Sequence, residues 1–246
     1  MNIKSKLGYD IFLKEYMPKK VEKVIIACHG FGGDKDSSAI EALGKELIKR
    51  NTLVIAFDFP AHGESNISGK EFTVENCICN LMEVEEYIKK IYPLIPIGIF
   101  ATSFGAYITL LKINKYANDY FKIILRAPAI CMDEIFKNSI LREDIEQFKD
   151  RGYTVLGYEK ELIVTYDYYK ELLENKLFEK YNKNEELLII QGTEDDMAPI
   201  EDSIKFINTK NTKGKLEKII GADHRMKKEG ELEKVIDIAI RYIENN

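Results

Sequence analysis

The strongest constraint on the fold is a regular alternation of short apolar runs with amphipathic helical patterns. The apolar runs lie at residues 24–28, 53–57, 95–101, 122–125, 187–190 and 216–220, and helical periodicity covers 38–50, 73–91, 104–115 and the C-terminal segment from 232 to 243. Strands that are buried on both faces read as continuous apolar runs, and strand–helix alternation requires a parallel sheet covered by helices. The pattern predicts an α/β, doubly wound fold with a mostly parallel sheet.

One long segment interrupts this alternation. Residues 129–185 contain no clear buried strand, although nine aromatic side chains are spread along them. Gly152 and Gly157 bracket a predicted small hairpin, and 167–181 has a helical pattern. An insertion of this length in a compact α/β unit is typical of a lid or binding element. We therefore expect one domain, residues 1–246, with a lid insertion at about 129–185, after the strand that ends near residue 126.

Composition excludes several classes of protein. The chain has 36 basic and 41 acidic residues, with a net charge of −5 and no basic field for binding phosphates. The first residues lack the apolar core of a signal peptide, and the most apolar stretch, 94–101, is too short to span a bilayer. Four cysteines form no disulfide framework, and three histidines argue against a multi-histidine metal centre. We expect a cytoplasmic protein with no nucleic-acid partner, no membrane association and no metal.

The most informative motif is the strand Ile97–Ala101 followed by Thr102-Ser103-Phe104-Gly105 and a helix. This strand–turn–helix context is the one that a nucleophile elbow, G-x-S-x-G, requires. Gly105 supplies the second small residue, whereas Ala101 replaces the usual first glycine. The structural alternative is a small-residue turn in which Ser103 caps the helix.

Three further motifs follow predicted strands of the same sheet. The first is Cys28-His29-Gly30-Phe31-Gly32-Gly33, whose glycines allow close approach of backbone amides to an oxyanion or form a simple turn. The second holds three adjacent acids at 194–196, which suit either a solvated turn or the orienting acid of a triad. The third is Gly221-Ala222-Asp223-His224. Because parallel strands place their carboxyl ends at one edge, the serine, an acid and the histidine are expected to meet there.

With these motifs the chain resembles the α/β-hydrolase superfamily over nearly its whole length. Residues 57–65, Phe-Asp-Phe-Pro-Ala-His-Gly-Glu-Ser, are similar to that fold's D-x-x-G-H-G-x-S turn, with Ala61 at a position where glycine is common. The motif at 29–33, the strand end at 125–129 and the insertion most resemble small bacterial serine esterases, the cinnamoyl/feruloyl esterase-like group. The α/β-hydrolase fold is what this resemblance implies.

The same resemblance assigns roles to individual residues. It implies that Ser103 is the nucleophile and that His224 is the general base and then the general acid. It also implies that Asp195 is the orienting acid, because the family's G-x-x-D-x-x-x-P spacing runs from 192 to 199. The backbone amides of Phe31 and Phe104 are the oxyanion hole that the resemblance implies.

The remaining polar residues of these motifs are assigned mainly structural roles. The resemblance implies that His62 and Ser65 are structural residues of their turn. For His29 it favours a buried, hydrogen-bonded role, which the sequence leaves open.

The predicted function is a serine-dependent carboxylic ester hydrolase that works through an acyl-enzyme and needs no cofactor. Tyr166 and Tyr169 are three residues apart and share a predicted helical face. They would line a site for an aromatic acid such as a hydroxycinnamate, or else pack as ordinary half-buried rings. A small-molecule ester is the expected partner, and a homodimer is compatible with the sequence. An aminopeptidase, thioesterase or acyltransferase would use the same motifs, and a non-catalytic binding protein of this fold is a further alternative.

Overall fold

The structure is a computed structural model that describes residues 1–158, 160–210 and 212–245. Its strands are β1 (Asn2–Lys4), β2 (Asp10–Tyr16), β3 (Lys23–Cys28), β4 (Thr52–Phe57), β5 (Ile97–Thr102), β6 (Ile123–Arg126), β7 (Tyr153–Gly157), β8 (Glu161–Thr165), β9 (Glu186–Gly192) and β10 (Lys213–Ile219). Its α-helices are α1 (Ser38–Leu47), α2 (Val74–Ile91), α3 (Phe104–Lys115), α4 (Met132–Ile135), α5 (Ile145–Arg151), α6 (Tyr166–Glu174), α7 (Leu177–Lys180), α8 (Ile200–Thr209) and α9 (Glu231–Glu244).

Eight of the described strands form one sheet in the order β1-β2-β4-β3-β5-β6-β9-β10. The pairs from β4 to β10 are parallel, whereas β2 runs antiparallel to both of its neighbours. The mostly parallel sheet predicted from the apolar runs is therefore confirmed. Strands β1 and β2 were not predicted. Strand β1 has only three residues, and in β2 Ile11 and Leu13 alternate with half-exposed residues and give no continuous apolar run.

Helices cover both faces of this sheet. Helices α1 and α9 pack on one face through apolar stripes that include Leu43 and Val235, both fully buried. Helices α2, α3 and α8 pack on the other face, together with the insertion. Within the described ranges no helix is both long and apolar enough to cross a membrane.

The insertion between β6 and β9 has an aromatic interior of its own. Strands β7 and β8 pair as an antiparallel hairpin. Gly152 and Gly157 bracket only the first of these strands, which corrects the prediction that they bracket the whole hairpin. The insertion is tied to the main body at α6, where the Glu171 carboxylate accepts a 2.6 Å hydrogen bond from the Val74 amide at the start of α2. This contact satisfies one of the free amides of that helix end.

Candidate active site

Ser103 stands at a sharp turn between β5 and α3. Its backbone has φ +49° and ψ −109°, a region that non-glycine residues rarely adopt and that costs about 1–3 kcal/mol. The main chain at the turn is held by the end of β6 and by the loop that follows it. The Ser103 amide donates to the Arg126 carbonyl at 2.9 Å, and the Ala129 amide donates to the Ser103 carbonyl at 3.2 Å. These bonds hold the strained residue at the carboxyl edge of the sheet.

The small residues around the serine explain why this turn forms. A Cβ atom on Gly105 would lie 2.6 Å from the His29 carbonyl oxygen and 2.8 Å from the Cys28 Cβ atom, so the close approach of α3 to β3 requires glycine. Ala101 is fully buried in β5 beside Cys28 and Leu125. The turn therefore accommodates alanine at the position where glycine is usual.

Ser103, His224 and Asp195 form one hydrogen-bonded chain. The His224 Nε2 atom is 3.0 Å from the Ser103 Oγ atom, and its Nδ1 atom is 2.9 Å from both carboxylate oxygens of Asp195. Because an ionised carboxylate only accepts hydrogen bonds, Nδ1 carries the proton and Nε2 accepts from the serine hydroxyl. This is the tautomer in which an imidazole can take a proton from serine.

Asp195 is the buried member of the three adjacent acids. Glu194 and Asp196 are exposed, whereas the Asp195 side chain is inaccessible to solvent. Its Oδ1 atom accepts from the amides of Met197 at 3.1 Å and Ala198 at 2.8 Å. The carboxylate is thus fixed by the turn that follows it and faces the imidazole.

Gln191 and Ser203 support this carboxylate, and the sequence analysis missed both. The Gln191 Nε2 atom donates to Asp195 Oδ2 at 3.1 Å and to the Ala198 carbonyl at 2.6 Å, and Ser203 donates to Gln191 Oε1 at 2.5 Å. Both residues are fully buried. The sequence feature that could have indicated Gln191 is its position directly after the apolar run 187–190, at the end of a strand that leads to the acidic loop.

The loops that carry the acid and the histidine are joined to each other. The Glu194 amide donates to the Ala222 carbonyl at 2.9 Å. A Cβ atom on Gly192 would lie 2.1 Å from that same carbonyl oxygen, so glycine is required where β9 approaches the loop after β10. The distance between Asp195 and His224 is therefore set by main-chain contacts.

The backbone amides of Phe31 and Phe104 are unpaired within the part of the chain that the structure describes. Neither amide donates a hydrogen bond to any of the described residues. Phe104 is the first residue of α3, whose leading amides have no acceptor within the helix and carry the positive end of its dipole. The geometry thus leaves both predicted oxyanion donors free.

His29 and His62 brace the loop that carries Phe31. The Nδ1 atom of His29 bonds the Gly30 carbonyl at 2.8 Å, and His62 Nε2 accepts from the Gly32 amide at 3.1 Å. Burial lowers the pKa of His29 to about 4 and that of His62 to about 3, so both rings are neutral. Ser65 has a comparable structural position, because its Oγ atom accepts from the Ala61 amide at 3.2 Å.

A cavity of about 610 Å³ lies beside the serine. Its described lining includes Ser103 and His224 together with an apolar group: Phe31, Met132, Ile135, Ile140, Tyr158 and Met197. The insertion contributes four of these apolar side chains, those of Met132, Ile135, Ile140 and Tyr158.

Tyr166 and Tyr169 are not among the described residues that line the cavity. Their rings pack with each other at 5.9 Å between centroids, and Tyr169 also packs on Phe136 at 5.6 Å and Tyr166 on Phe148 at 5.4 Å. The structure therefore places both in the aromatic interior of the insertion, which does not support the prediction that they contact substrate. Their aromatic character and helical spacing are equally typical of packing.

Comparisons with known proteins agree with this fold. The protein Est1E of Butyrivibrio proteoclasticus, solved with ferulic acid bound, superposes with a TM-score of 0.83, 22% identity and full coverage of both chains. Mouse alpha/beta hydrolase domain-containing protein 10 gives a TM-score of 0.78 at 16% identity, covering 99% of this chain and 97% of the mouse chain. A monoglyceride lipase homolog of monkeypox virus is 22% identical over 249 residues, 89% of this chain and 88% of the viral protein.

The topology and these likenesses show the α/β-hydrolase fold, which confirms the predicted fold class. A family model described as serine aminopeptidase, S33, matches residues 19–159, more than half of the chain, and the chain belongs to this family. Ser103 lies within the matched residues, whereas Asp195 and His224 lie beyond them.

Proposed function

We propose that this protein is a serine-dependent carboxylic ester hydrolase with Ser103 as nucleophile, His224 as general base and acid, and Asp195 as the orienting acid. The observation that carries the proposal is the continuous hydrogen-bonded chain from Ser103 through His224 to Asp195. Membership of a hydrolase family and likeness to esterase and lipase relatives support the same reaction class.

The acylation step follows from the atoms that face each other. Ser103 Oγ attacks the ester carbonyl carbon while His224 Nε2 takes the hydroxyl proton. The tetrahedral oxyanion receives hydrogen bonds from the Phe31 and Phe104 amides, and losing one such donor typically costs about 2.7–4 kcal/mol. Collapse of the intermediate breaks the bond to the leaving alkoxide, which takes the proton from His224 and departs as an alcohol.

Deacylation repeats these steps with water. His224 takes a proton from a water molecule as the water oxygen attacks the acyl carbon of the ester on Ser103. The second intermediate breaks the bond to Oγ, and the proton returns to the serine. The products are a carboxylic acid, an alcohol and the free enzyme.

The cavity supports a small ester as substrate. Its volume of about 610 Å³ lies in the range of roughly 300–1,000 Å³ that small-molecule sites occupy. Phe31 and Tyr158 pack edge to face on its lining with 5.9 Å between ring centroids. These rings, rather than Tyr166 and Tyr169, are the aromatic surface that would contact an aromatic acyl group such as a hydroxycinnamate.

The test begins with a small fluorophosphonate, which reports an activated serine without knowledge of the substrate. Intact mass and peptide mapping should give one adduct on Ser103, lost in His224→Ala. Absence of an adduct on folded protein would contradict the proposal and favour a non-catalytic binding protein.

A substrate panel then separates the reaction classes. The family description makes aminopeptidase activity the second candidate. The panel therefore contains a 4-nitrophenyl ester, a monoacylglycerol, a methyl hydroxycinnamate, an acyl thioester and an aminoacyl 4-nitroanilide. Ester turnover that exceeds the others supports the proposal, whereas preferential anilide turnover would replace it with a peptidase.

A further inference from the structure

An arginine is buried beside the nucleophile without an acidic partner. Arg126 ends β6, and its side chain lines the cavity next to Ser103 although the residue is only 6% exposed. It forms no salt bridge with any residue that the structure describes. Its Nη2 atom donates to the Arg225 carbonyl, whereas its Nε atom is buried without a partner.

The two acids whose charges favour the cationic form of Arg126 already make other contacts. Asp195 faces His224, and Asp223 Oδ1 accepts from the amides of Arg225 and Met226 at 2.9 and 2.8 Å. Burial lowers the pKa of Arg126 to about 10, so the guanidinium is still cationic at neutral pH. A buried cation without a close counterion is destabilising, and an anionic ligand would offset that cost.

A second unpartnered group lies beside this arginine. Thr102 is the cross-strand partner of Arg126 in the parallel β5–β6 pair, so the two side chains are on the same face of the sheet. The Thr102 Oγ1 atom is buried and has no hydrogen-bond partner among the described residues. Thr102 also lines the cavity.

The residues that line the cavity carry charges of both signs. Arg225 and Lys227 are exposed on the lining, and Asp34 and Asp36 line it from the loop before α1. Asp36 is neutralised by Lys14 at 2.5 Å and Lys35 at 3.2 Å. Of the charged side chains that line the cavity, the cations of Arg126, Arg225 and Lys227 and the carboxylate of Asp34 form no salt bridge with a described residue.

We propose that Arg126, with Thr102 beside it, binds a carboxylate carried by the ester substrate. The preferred substrates are then monoesters of dicarboxylic acids or esters whose alcohol is a hydroxy acid. This inference rests on the proposed ester hydrolysis, because it names the substrate class of the same site. A guanidinium and a hydroxyl together supply charge-assisted and neutral hydrogen bonds to such a group.

The test compares carboxylate esters with neutral counterparts of the same shape. On the acyl side the pair is 4-nitrophenyl hydrogen adipate and 4-nitrophenyl methyl adipate. On the alcohol side it is 4-acetoxybenzoate and 4-acetoxybenzamide. For each pair, kcat/KM of the charged ester is divided by that of the neutral one, so that a general change in the nucleophile cancels.

In the wild type at least one ratio should exceed unity, and Arg126→Met should lower that ratio about tenfold or more. Arg241→Met is the matched control, because Arg241 is exposed on α9 away from the cavity, and it should leave the ratio unchanged. A smaller decrease is expected for Thr102→Val. Ratios near or below unity in both wild-type pairs, or ratios unaffected by Arg126→Met, would overturn the inference.

Failure of the inference is distinguishable from failure of the proposed function. If Ser103 forms the fluorophosphonate adduct and neutral esters are hydrolysed, but the ratio does not depend on Arg126, only the proposed carboxylate preference is contradicted. If neither the adduct nor ester turnover is found, both the proposed ester hydrolysis and the proposed substrate class are contradicted.

Discussion

The carboxyl edge of the sheet and the insertion hold their functional candidates by different means. At the sheet edge, Ser103, Asp195 and His224 are fixed by directional hydrogen bonds between loops that follow neighbouring strands. In the insertion, Tyr166 and Tyr169 are held by ring packing, which has little dependence on residue spacing. Motif spacing therefore predicts which residues meet at the sheet edge, whereas it does not distinguish an aromatic ring that packs in the interior from one that contacts a ligand.

The largest effect is expected for Ser103→Ala. Removing a nucleophile of this kind typically lowers kcat about 10⁴- to 10⁶-fold. The main-chain bonds of the turn remain, so the melting temperature should change little. Ester hydrolysis and thermal unfolding measured side by side test this, and retained activity would show that the sheet edge is not the site.

The next largest effect on activity is expected for Asp195→Asn, and the same change of acid to amide at Glu194 is its control. Asp195→Asn should lower kcat about 10⁴-fold, because the amide disfavours the imidazole tautomer that the serine needs. Glu194→Gln changes an exposed side chain and should remain within about twofold of wild type. Equal losses in steady-state kinetics of the two variants would contradict the placement of the acid.

A pH effect on stability is expected from the two bracing histidines. Their pKa values, about 4 and about 3 in the folded protein, lie below the ordinary value of 6.5. The unfolded chain therefore binds protons first as the pH falls. The free energy of unfolding should decrease from pH 6.5 toward pH 4, by on the order of 3 kcal/mol per histidine in the full acid range.

Denaturant unfolding at several pH values measures this slope. His62→Gln retains an acceptor for the Gly32 amide but removes the titrating ring, and should flatten the slope. A slope identical to that of wild type would show that His62 does not contribute to acid sensitivity.

Gln191→Leu tests how far the polar support at the sheet edge extends. Loss of its hydrogen bond to Asp195 should misplace the carboxylate and lower kcat about 10- to 100-fold, with a smaller change in KM. The conservative Gln191→Glu, which retains an acceptor for Ser203 but not the donor to Asp195, should not recover activity. An altered pH profile of kcat would distinguish positioning of His224 from a general loss of stability.

The smallest effect on activity is expected in the insertion. Tyr169→Leu should lower the free energy of unfolding by about 1–2 kcal/mol through lost ring packing and leave kcat/KM within about twofold. Kinetics with an aromatic and an aliphatic ester provide the comparison. A tenfold rise in KM for the aromatic ester alone would instead indicate that Tyr169 contacts the substrate.

Sequence reasoning recovered the parallel sheet because strands buried on both faces are apolar throughout. It did not find β2, whose alternating burial resembles a surface segment, or α8, which follows the acid loop. The positions of Ser103, Asp195 and His224 relative to strand ends were predictable, since strand ends meet at one edge. The roles of Gln191, Ser203 and Arg126 were not predictable, because they depend on which buried polar atoms form hydrogen bonds in the folded chain and which do not.

The contact between the Ser103 amide and the Arg126 carbonyl has an evolutionary consequence. That carbonyl is present whichever side chain occupies position 126, so the nucleophile's support does not depend on the arginine itself. A substitution at this position would replace the side chain that faces the substrate, whereas the hydrogen bond from the Ser103 amide to the carbonyl of residue 126 could still form. Preference for charged or neutral esters can thus diverge between related lineages without a new fold or a new nucleophile.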